Sequence, residues 1–403
     1  MKLLFVHEVS YRKKVVFEMH EFPELLAEKG HDVTFFDFDE GARFWSGGLS
    51  PKKQKIVGRV RPDTRLTIVR AFQLGIPGFD RLLATLTSWK ALWRTMSRGN
   101  FDAVVLLAVP TYGVQTILLA KVFGLPVVFR ALDVSHKIRN NIFSAGIIQI
   151  ERFIYKRADL VLGNNPAMTA YCASLGDRVA RHKASATVFA PLDLEHFRAA
   201  KPDAGLRSDL GIEPEDRVIT YMGSFFYFSG LEEVIKAFAN ASNSGLADGC
   251  KLLLIGGGEQ DGELRSLVAN LGLSDAVIFT GFVDYQALPR YLDLTTMAIN
   301  PLRKSLVTDT ALPHKVLQYL AMGLPVVSSR LDGLRQVFGD DSGITWADNP
   351  DGILLTALEH SNSSSLTSNA AMAARAAVAT RMEQKAVVDQ LEKLLEMTIR
   401  KRT

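Results

Sequence analysis

The residues best placed to do chemistry lie between 312 and 327, in LPHKVLQYLAMGLPVV. Pro313 reads as a residue of the first helical turn, and Gly323 as the left-handed residue that closes the helix before a strand from Pro325 to Ser328. Lys315 then sits in the first turn. Its ammonium adds to the positive end of the helix, where free N–H groups can meet phosphate oxygens. Gln318 lies three residues on, along the same face. A cation and an amide so arranged suit a nucleotide diphosphate, although an ordinary core helix with a solvated lysine would read the same way.

A second candidate is the loop Gly223-Ser224-Phe225-Phe226-Tyr227-Phe228-Ser229-Gly230, between a strand and a helix. Open parallel sheets bind ligands at such turns. Its glycines admit a phosphate to the backbone, and Ser224 and Ser229 can donate hydroxyl hydrogen bonds. The following strand ends in Gly256-Gly257-Gly258-Glu259, but the sixth position from Gly256 is Asp261, so the spacing of a dinucleotide fingerprint fails. A third is Phe129-Arg130-Ala131-Leu132-Asp133, leading into Val134-Ser135-His136-Lys137-Ile138-Arg139. There Asp133 and His136 could serve as general base and positioning group, and Arg130 or Arg139 could bind anionic oxygens. A helix cap by Asp133 is the plainer alternative. Asp37-Phe38-Asp39 matches a short metal-holding pattern but reads as surface charge. No His/Cys cluster, Walker loop or GxSxG is present, and no metal is expected.

The elements that must carry these residues alternate between strand and helix. Short apolar strands are expected at Leu3 to His7, Asp32 to Phe38, Ala103 to Val109, Val127 to Ala131 and Leu160 to Gly163. The pattern repeats at Val218 to Met222, Lys251 to Ile255, Ala276 to Phe279, Met297 to Asn300 and Val326 to Ser328. Such a series implies two doubly wound α/β domains. The boundaries read as 1–200 and 201–380, with Lys201 to Asp216 as the linker. A C-terminal amphipathic helix within 381–403 could pack on either domain, the first included.

At 403 residues the chain exceeds one compact core, and 47% hydrophobic content is globular. Two cysteines exclude a disulfide framework and favour a reducing compartment. The N-terminal apolar run is broken by His7 and Glu8 and reads as a buried strand, and no stretch is long enough to span a bilayer. The net charge of +4 hides an asymmetry: residues 1–200 carry +10 and residues 201–403 carry −6. Eleven basic residues fall between 50 and 99, Lys52 and Lys53 among them. Just downstream, Phe79, Leu82, Leu83, Leu86, Trp93 and Met96 recur at helical spacing, with Trp89 beside them. Polybasic and apolar features together suggest contact with an anionic membrane, against the alternative of a stripe facing the domain core. Nucleic acid is not expected, for want of any recognition motif.

Three blocks, YMGSFFYFSGLEEVIKAF, KLLLIGGGEQDGELRSLVANLGLSDAVIFTGFVDYQALPRYL and LPHKVLQYLAMGLPVVSSRLDGL, make residues 218 to 345 resemble the donor domain of GT-B glycosyltransferases, particularly the large fourth family. The resemblance implies two Rossmann-like domains facing across a cleft, with the acceptor on the first and a nucleotide sugar on the second. It places Gly223 and Ser224 near the diphosphate, Gly256, Gly257 and Gly258 along the cleft, Phe282 and Val283 near the base, and Lys315 and Gln318 at phosphate and ribose. Ser229, Arg303 and Thr310 complete the donor set. Two departures stand out. Ser224 and Ser229 replace the usual Arg and Lys of the first loop, and Thr310 and Gln318 replace a carboxylate pair. In patches the chain is similar to the inverting glucuronosyltransferase of xanthan-type polysaccharide synthesis, which shares a serine in the loop, Lys followed by Leu-Gln-Tyr, and a strand end like Arg130 to Asp133. His7 to Lys14, with Arg12, Lys13 and Lys14, resembles its basic loop. This makes Asp133 the leading candidate for the base.

The expectation is therefore a metal-independent hexosyl or uronosyl transferase with no cofactor beyond its nucleotide sugar. Its acceptor would be a lipid-linked or polysaccharide hydroxyl at the cytoplasmic face of the membrane, with inversion or retention left open. A non-catalytic relative acting as scaffold or partner subunit, and a nucleotide-sugar epimerase of the same fold, are the alternatives.

Overall fold

A run of apolar residues such as Leu3-Leu4-Phe5-Val6 has no polar face to show water, so it must be covered on both sides. The computed structural model, which describes residues 1–38, 52–71, 80–138, 144–339, 343–362, 373 and 375–402, does this twice. Residues 1–191 and 385–403 form one unit and residues 192–384 a second.

The first sheet contains β1 (Lys2–Val6), β2 (Asp32–Asp37), β3 (Lys52–Val57), β4 (Arg65–Arg70), β5 (Ala103–Leu106), β6 (Val127–Ala131), β7 (Leu160–Gly163) and β8 (Ala184–Thr187), in the order β3-β4-β2-β1-β5-β6-β7-β8. All neighbours are parallel except β3 and β4, which are antiparallel at one end. The basic stretch after residue 50 thus forms an edge hairpin. Strand order reverses at β1, which pairs with β2 on one side and β5 on the other. Ligand crevices open at the carboxyl ends of strands flanking such a point.

The second sheet contains β9 (Arg217–Ser224), β10 (Cys250–Gly257), β11 (Val277–Gly281), β12 (Met297–Asn300), β13 (Val326–Ser329) and β14 (Ile344–Ala347), all parallel, in the order β11-β10-β9-β12-β13-β14. Here the order reverses at β9, whose carboxyl end is the Gly223 loop.

The boundary differs from the expected residue 200. The N–H of Leu192 donates to the Met382 carbonyl, and that of Gln384 to Leu192, which binds 192–200 into the second unit. The expected linker is not extended either. Asp203 caps a helix, Ala204–Asp209, by accepting from the Leu206 N–H, and Arg207 donates to the carbonyls of Glu213, Pro214 and Asp216. The final helix, Gln384–Arg400, belongs to the first unit. Val387, Val388, Leu391 and Leu395 are buried in that unit's core, each contributing about 1.5–3 kcal/mol by removal from water. Lys29 pairs with Asp389 and Glu392, and His31 meets Glu392 at 2.8 Å.

The apolar stripe expected between 79 and 96 divides within the helix Asp80–Gly99. Ala84, Ala91, Leu92 and Met96 are buried, whereas Leu86, Trp89 and Trp93 are exposed. Phe79 lies outside the described residues. No helix among the described residues is long and apolar enough to cross a membrane.

Candidate donor and base sites

The helix carrying Lys315 runs from His314 to Ala321. Pro313 is its N-cap, one residue outside the first turn expected for it. Its end is built as the sequence suggests: Gly323 has φ +72°, and the N–H groups of Gly323 and Leu324 donate to Leu320 and Tyr319. Lys315 is thus its second residue. Its Nζ donates to the Tyr221 hydroxyl at 2.8 Å and stands 3.9 Å from that ring's centroid. Among the described residues no carboxylate reaches this ammonium. Burial depresses its pKa to about 7. A half-buried cation that has lost part of its water without gaining an anion is suited to receive one.

Tyrosines strap this helix to β9. The Tyr221 hydroxyl donates to the Ser224 carbonyl at 2.9 Å, and the Met222 N–H donates to the Tyr319 hydroxyl at 2.6 Å. Both were missed in the sequence. Tyr319 stands four residues from Lys315, one helical turn on, which is the signal that could have found it. Tyr221 carries no such signal.

Glycine is needed where β9 and β10 end. Gly223 has φ +137°, and a Cβ there would lie 2.9 Å from the Lys315 Nζ. Gly256 has φ +132°, and a Cβ would collide with the Gly223 carbonyl oxygen. A Cβ on Gly258 would press on the Phe225 backbone, and one on Gly257 would lie 3.2 Å from the Phe282 ring. The glycines therefore bring two loops and one ammonium together. Phe282 is 63% exposed at the end of β11, with Val283 half-buried beside it.

Other candidates are already engaged. The Ser229 hydroxyl is buried and donates to the Phe226 carbonyl at 2.6 Å, closing the loop's own turn. Ser224 is half-buried. Arg303 pairs with Glu233 at 2.6 Å and donates to the Tyr227 carbonyl, bracing the loop from behind. The Thr310 hydroxyl donates to the Leu306 carbonyl at 2.7 Å, and Gln318 is buried on the helix.

In the first unit, Arg130 is buried and paired with Glu18, and it also donates to the carbonyls of Gly163 and Val188. It is not a free anion receptor, because the carboxylate already neutralises it. Asp133, two residues past β6, keeps an exposed surface, while the protein around it displaces part of its water and this, followed by repulsion from Glu18, raises its carboxyl to about 6. His136 is buried with Nδ1 2.7 Å from Glu151, and the Tyr171 hydroxyl donates to that carboxylate at 3.3 Å. Its ring is held in one orientation. Asp37 is not surface charge: it is fully buried and bound by Arg70 and the Tyr11 N–H. Asp39 and Arg139 lie outside the described residues. Arg12 and Lys13 are exposed on the turn after β1, Lys14 is half-buried there, and Lys53 is exposed on the edge strand β3, to which Lys52 also belongs.

These folds and this site define a class, and comparison with known proteins gives it a name. The family described as "Glycosyl transferases group 1" matches residues 204–357, and the "Glycosyl transferase 4-like domain" matches residues 19–186. Between them the matches enter both units, and the chain belongs to the glycosyltransferases of the GT-B fold.

N-acetyl-alpha-D-glucosaminyl L-malate synthase of Bacillus anthracis is 22% identical over 92% of this chain and 91% of its own. Other curated relatives match over 29% to 37% of their own length. Sucrose-phosphate synthase from Thermosynechococcus elongatus has a TM-score of 0.79 at 17% identity, covering 98% of both chains. Anabaena HepE, solved with UDP-glucose, has a TM-score of 0.73 at 16% identity, covering 98% of this chain and all of that one. At these identities the two structures speak to fold alone.

Proposed function

We propose that this glycosyltransferase moves a hexosyl or uronosyl unit from a nucleoside diphosphate sugar to a hydroxyl of a lipid-linked or polysaccharide acceptor at the cytoplasmic face of the membrane, with no metal or other cofactor. The observation that carries this reading is the half-buried Lys315 ammonium, which no carboxylate among the described residues reaches and which Tyr221 holds against Gly223. The nucleotide sugar bound to the structural neighbour HepE supports the choice of donor.

In this reading the acceptor oxygen attacks the anomeric carbon while that carbon's bond to the diphosphate oxygen breaks. Negative charge grows on the leaving diphosphate. The ammonium, the helix terminus behind it and the Gly223 loop stabilise it where it develops. Phe282, exposed beside Gly257, offers a face to the base, and Gln318 an amide to the ribose. The acceptor proton passes to Asp133 if configuration inverts; if it is retained, Asp133 or His136 orients the sugar.

Titration of the full chain with UDP, UDP-glucose and other nucleoside diphosphate sugars, read by calorimetry and by nucleoside diphosphate release, tests this. Saturable binding weakened about 10- to 150-fold by Lys315→Ala is expected, since the variant loses a charge-assisted bond to phosphate. Binding of no donor, or equal binding by the variant, would sink the reading. Donor binding without acceptor-dependent release would mark a scaffold, and turnover without any acceptor an epimerase.

A further inference from the structure

The edge of the first sheet opposite Asp133 carries a concentration of cations that donor chemistry does not use. In a parallel sheet Asp133 follows the carboxyl end of β6, so the amino ends of β6, β7 and β8 lie a strand's length away, on the order of 15 Å. There a recess of about 200 Å³ is lined by Leu118, Lys121, Arg157, Asp159, Lys183 and Arg402. Among the described residues Asp159 is the one carboxylate of this lining. It already accepts from the Val127 N–H at 2.8 Å and lies 3.6 Å from Arg402. Among the described residues Lys183 donates to the carbonyls of Arg157 and Ala158, at 3.3 and 3.5 Å, and Arg157 stands over the Phe153 ring.

Behind the recess a further cation is buried. Arg178 is fully enclosed, and its guanidinium donates to the carbonyls of Tyr155, Ala158, Asp159 and Ala184 and to the Ser185 hydroxyl. Carbonyl dipoles satisfy its hydrogens without cancelling its charge. Burial, followed by repulsion from Arg178, lowers the pKa of Lys183. Four lining cations against one carboxylate leave the recess with an excess of positive charge among the described residues.

Its surroundings say where that anion comes from. Leu118 lines the recess and is 36% exposed, and Val122, next to Lys121 at the end of the same helix, is 64% exposed. The ridge continues onto the neighbouring helix Asp80–Gly99. Trp93 meets Phe123 edge-on at 4.9 Å, and Trp89 and Leu86 follow one turn and two turns back, all exposed, with Lys90 between them. An apolar ridge ending at a basic recess matches the order of materials in a membrane surface, with acyl chains beside phosphates. A soluble phosphate has no use for the ridge.

We propose that this recess binds the phosphate of an anionic phospholipid, with Lys121, Arg157, Lys183 and Arg402 around it and Leu86, Trp89, Trp93, Leu118 and Val122 entering the interface alongside. The site deepens the membrane contact proposed above and rests on it. It also relocates that contact. The basic strand β3 that precedes the tryptophans in sequence stands at the far end of the sheet from β8.

Cosedimentation of the full chain with phosphatidylcholine vesicles, with and without phosphatidylglycerol, tests the site. Binding is expected only with phosphatidylglycerol. Lys121→Gln with Lys183→Gln should weaken it about thirtyfold, from roughly 1 kcal/mol per cation at the surface. Trp93→Ser should weaken it as well, while Lys53→Gln changes it less than twofold and donor binding by the double variant stays at the wild-type level. If the double variant binds vesicles no worse than Lys53→Gln, the recess is overturned and membrane contact survives elsewhere. Failure of the wild type to bind phosphatidylglycerol vesicles overturns both. In that event, saturable quenching of tryptophan fluorescence by inorganic phosphate would reassign the recess to a soluble ligand.

Discussion

The two sheets end in opposite electrostatic arrangements although they share one architecture. At the end of β9 the second unit holds a cation, Lys315, with a phenol and its aromatic face for company and, among the described residues, no carboxylate. At the end of β6 the first unit also places a cation, Arg130, but Glu18 neutralises it and the carbonyls of Gly163 and Val188 take its other donors. What remains there is the reverse, a carboxyl on Asp133 with a raised proton affinity. A strand end in a doubly wound fold offers a position, and the pairing of charges around it decides whether that position receives anions or protons.

Asp133→Asn should cut turnover about 10²–10⁴-fold with donor affinity within about twofold of wild type. Acceptor-dependent release under saturating donor measures it, and loss of donor affinity instead would erase the division of labour between the units. The largest effect on stability is expected at the paired cation. Arg130→Met strands the Glu18 carboxylate in the core and should cost about 3–5 kcal/mol. Denaturant unfolding should show it, and a double variant with Glu18→Gln should recover most of the loss.

The comparison also sets a pH profile. Asp133 accepts a proton only when ionised, so activity falls as pH drops through about 6. Lys315 holds phosphate only when protonated, so donor capture falls as pH rises through about 7. A profile of kcat/KM should therefore peak between these values and decline about tenfold per pH unit beyond each limb. Lys315→Arg should remove the alkaline limb, because a guanidinium does not titrate there. A limb that persists in that variant would assign the group elsewhere.

Much of this was legible in one dimension. The strands β1, β6, β7, β12 and β13 announce themselves as apolar runs, and the pairing of Gly323 with the end of the Lys315 helix follows from local stereochemistry. β8, in Ala184–Thr187, is half-exposed with no apolar run, and β3 is mostly polar because it closes one end of its sheet. Among the candidate site residues, the place of Lys315 in a first helical turn and of the Gly223 loop at a strand end could be read, because helix termini and strand ends have local signatures. That the Ser229 hydroxyl and the Arg303 guanidinium are engaged within and behind the loop could not be read. A hydroxyl or guanidinium has the same letter whether it faces a ligand or closes its own loop.

Alternation of apolar runs, glycines where the backbone turns left-handed and a lysine in a first helical turn are properties of near neighbours in the chain, and the sequence alone determined them. Which charges cancel was decided only in three dimensions. Glu18 and Arg130 are 112 residues apart, Tyr221 and Lys315 are 94 apart, and Lys121 shares its recess with Arg402. Coulombic energy depends on distance in space and on the water removed between groups, neither of which is written in the spacing of letters.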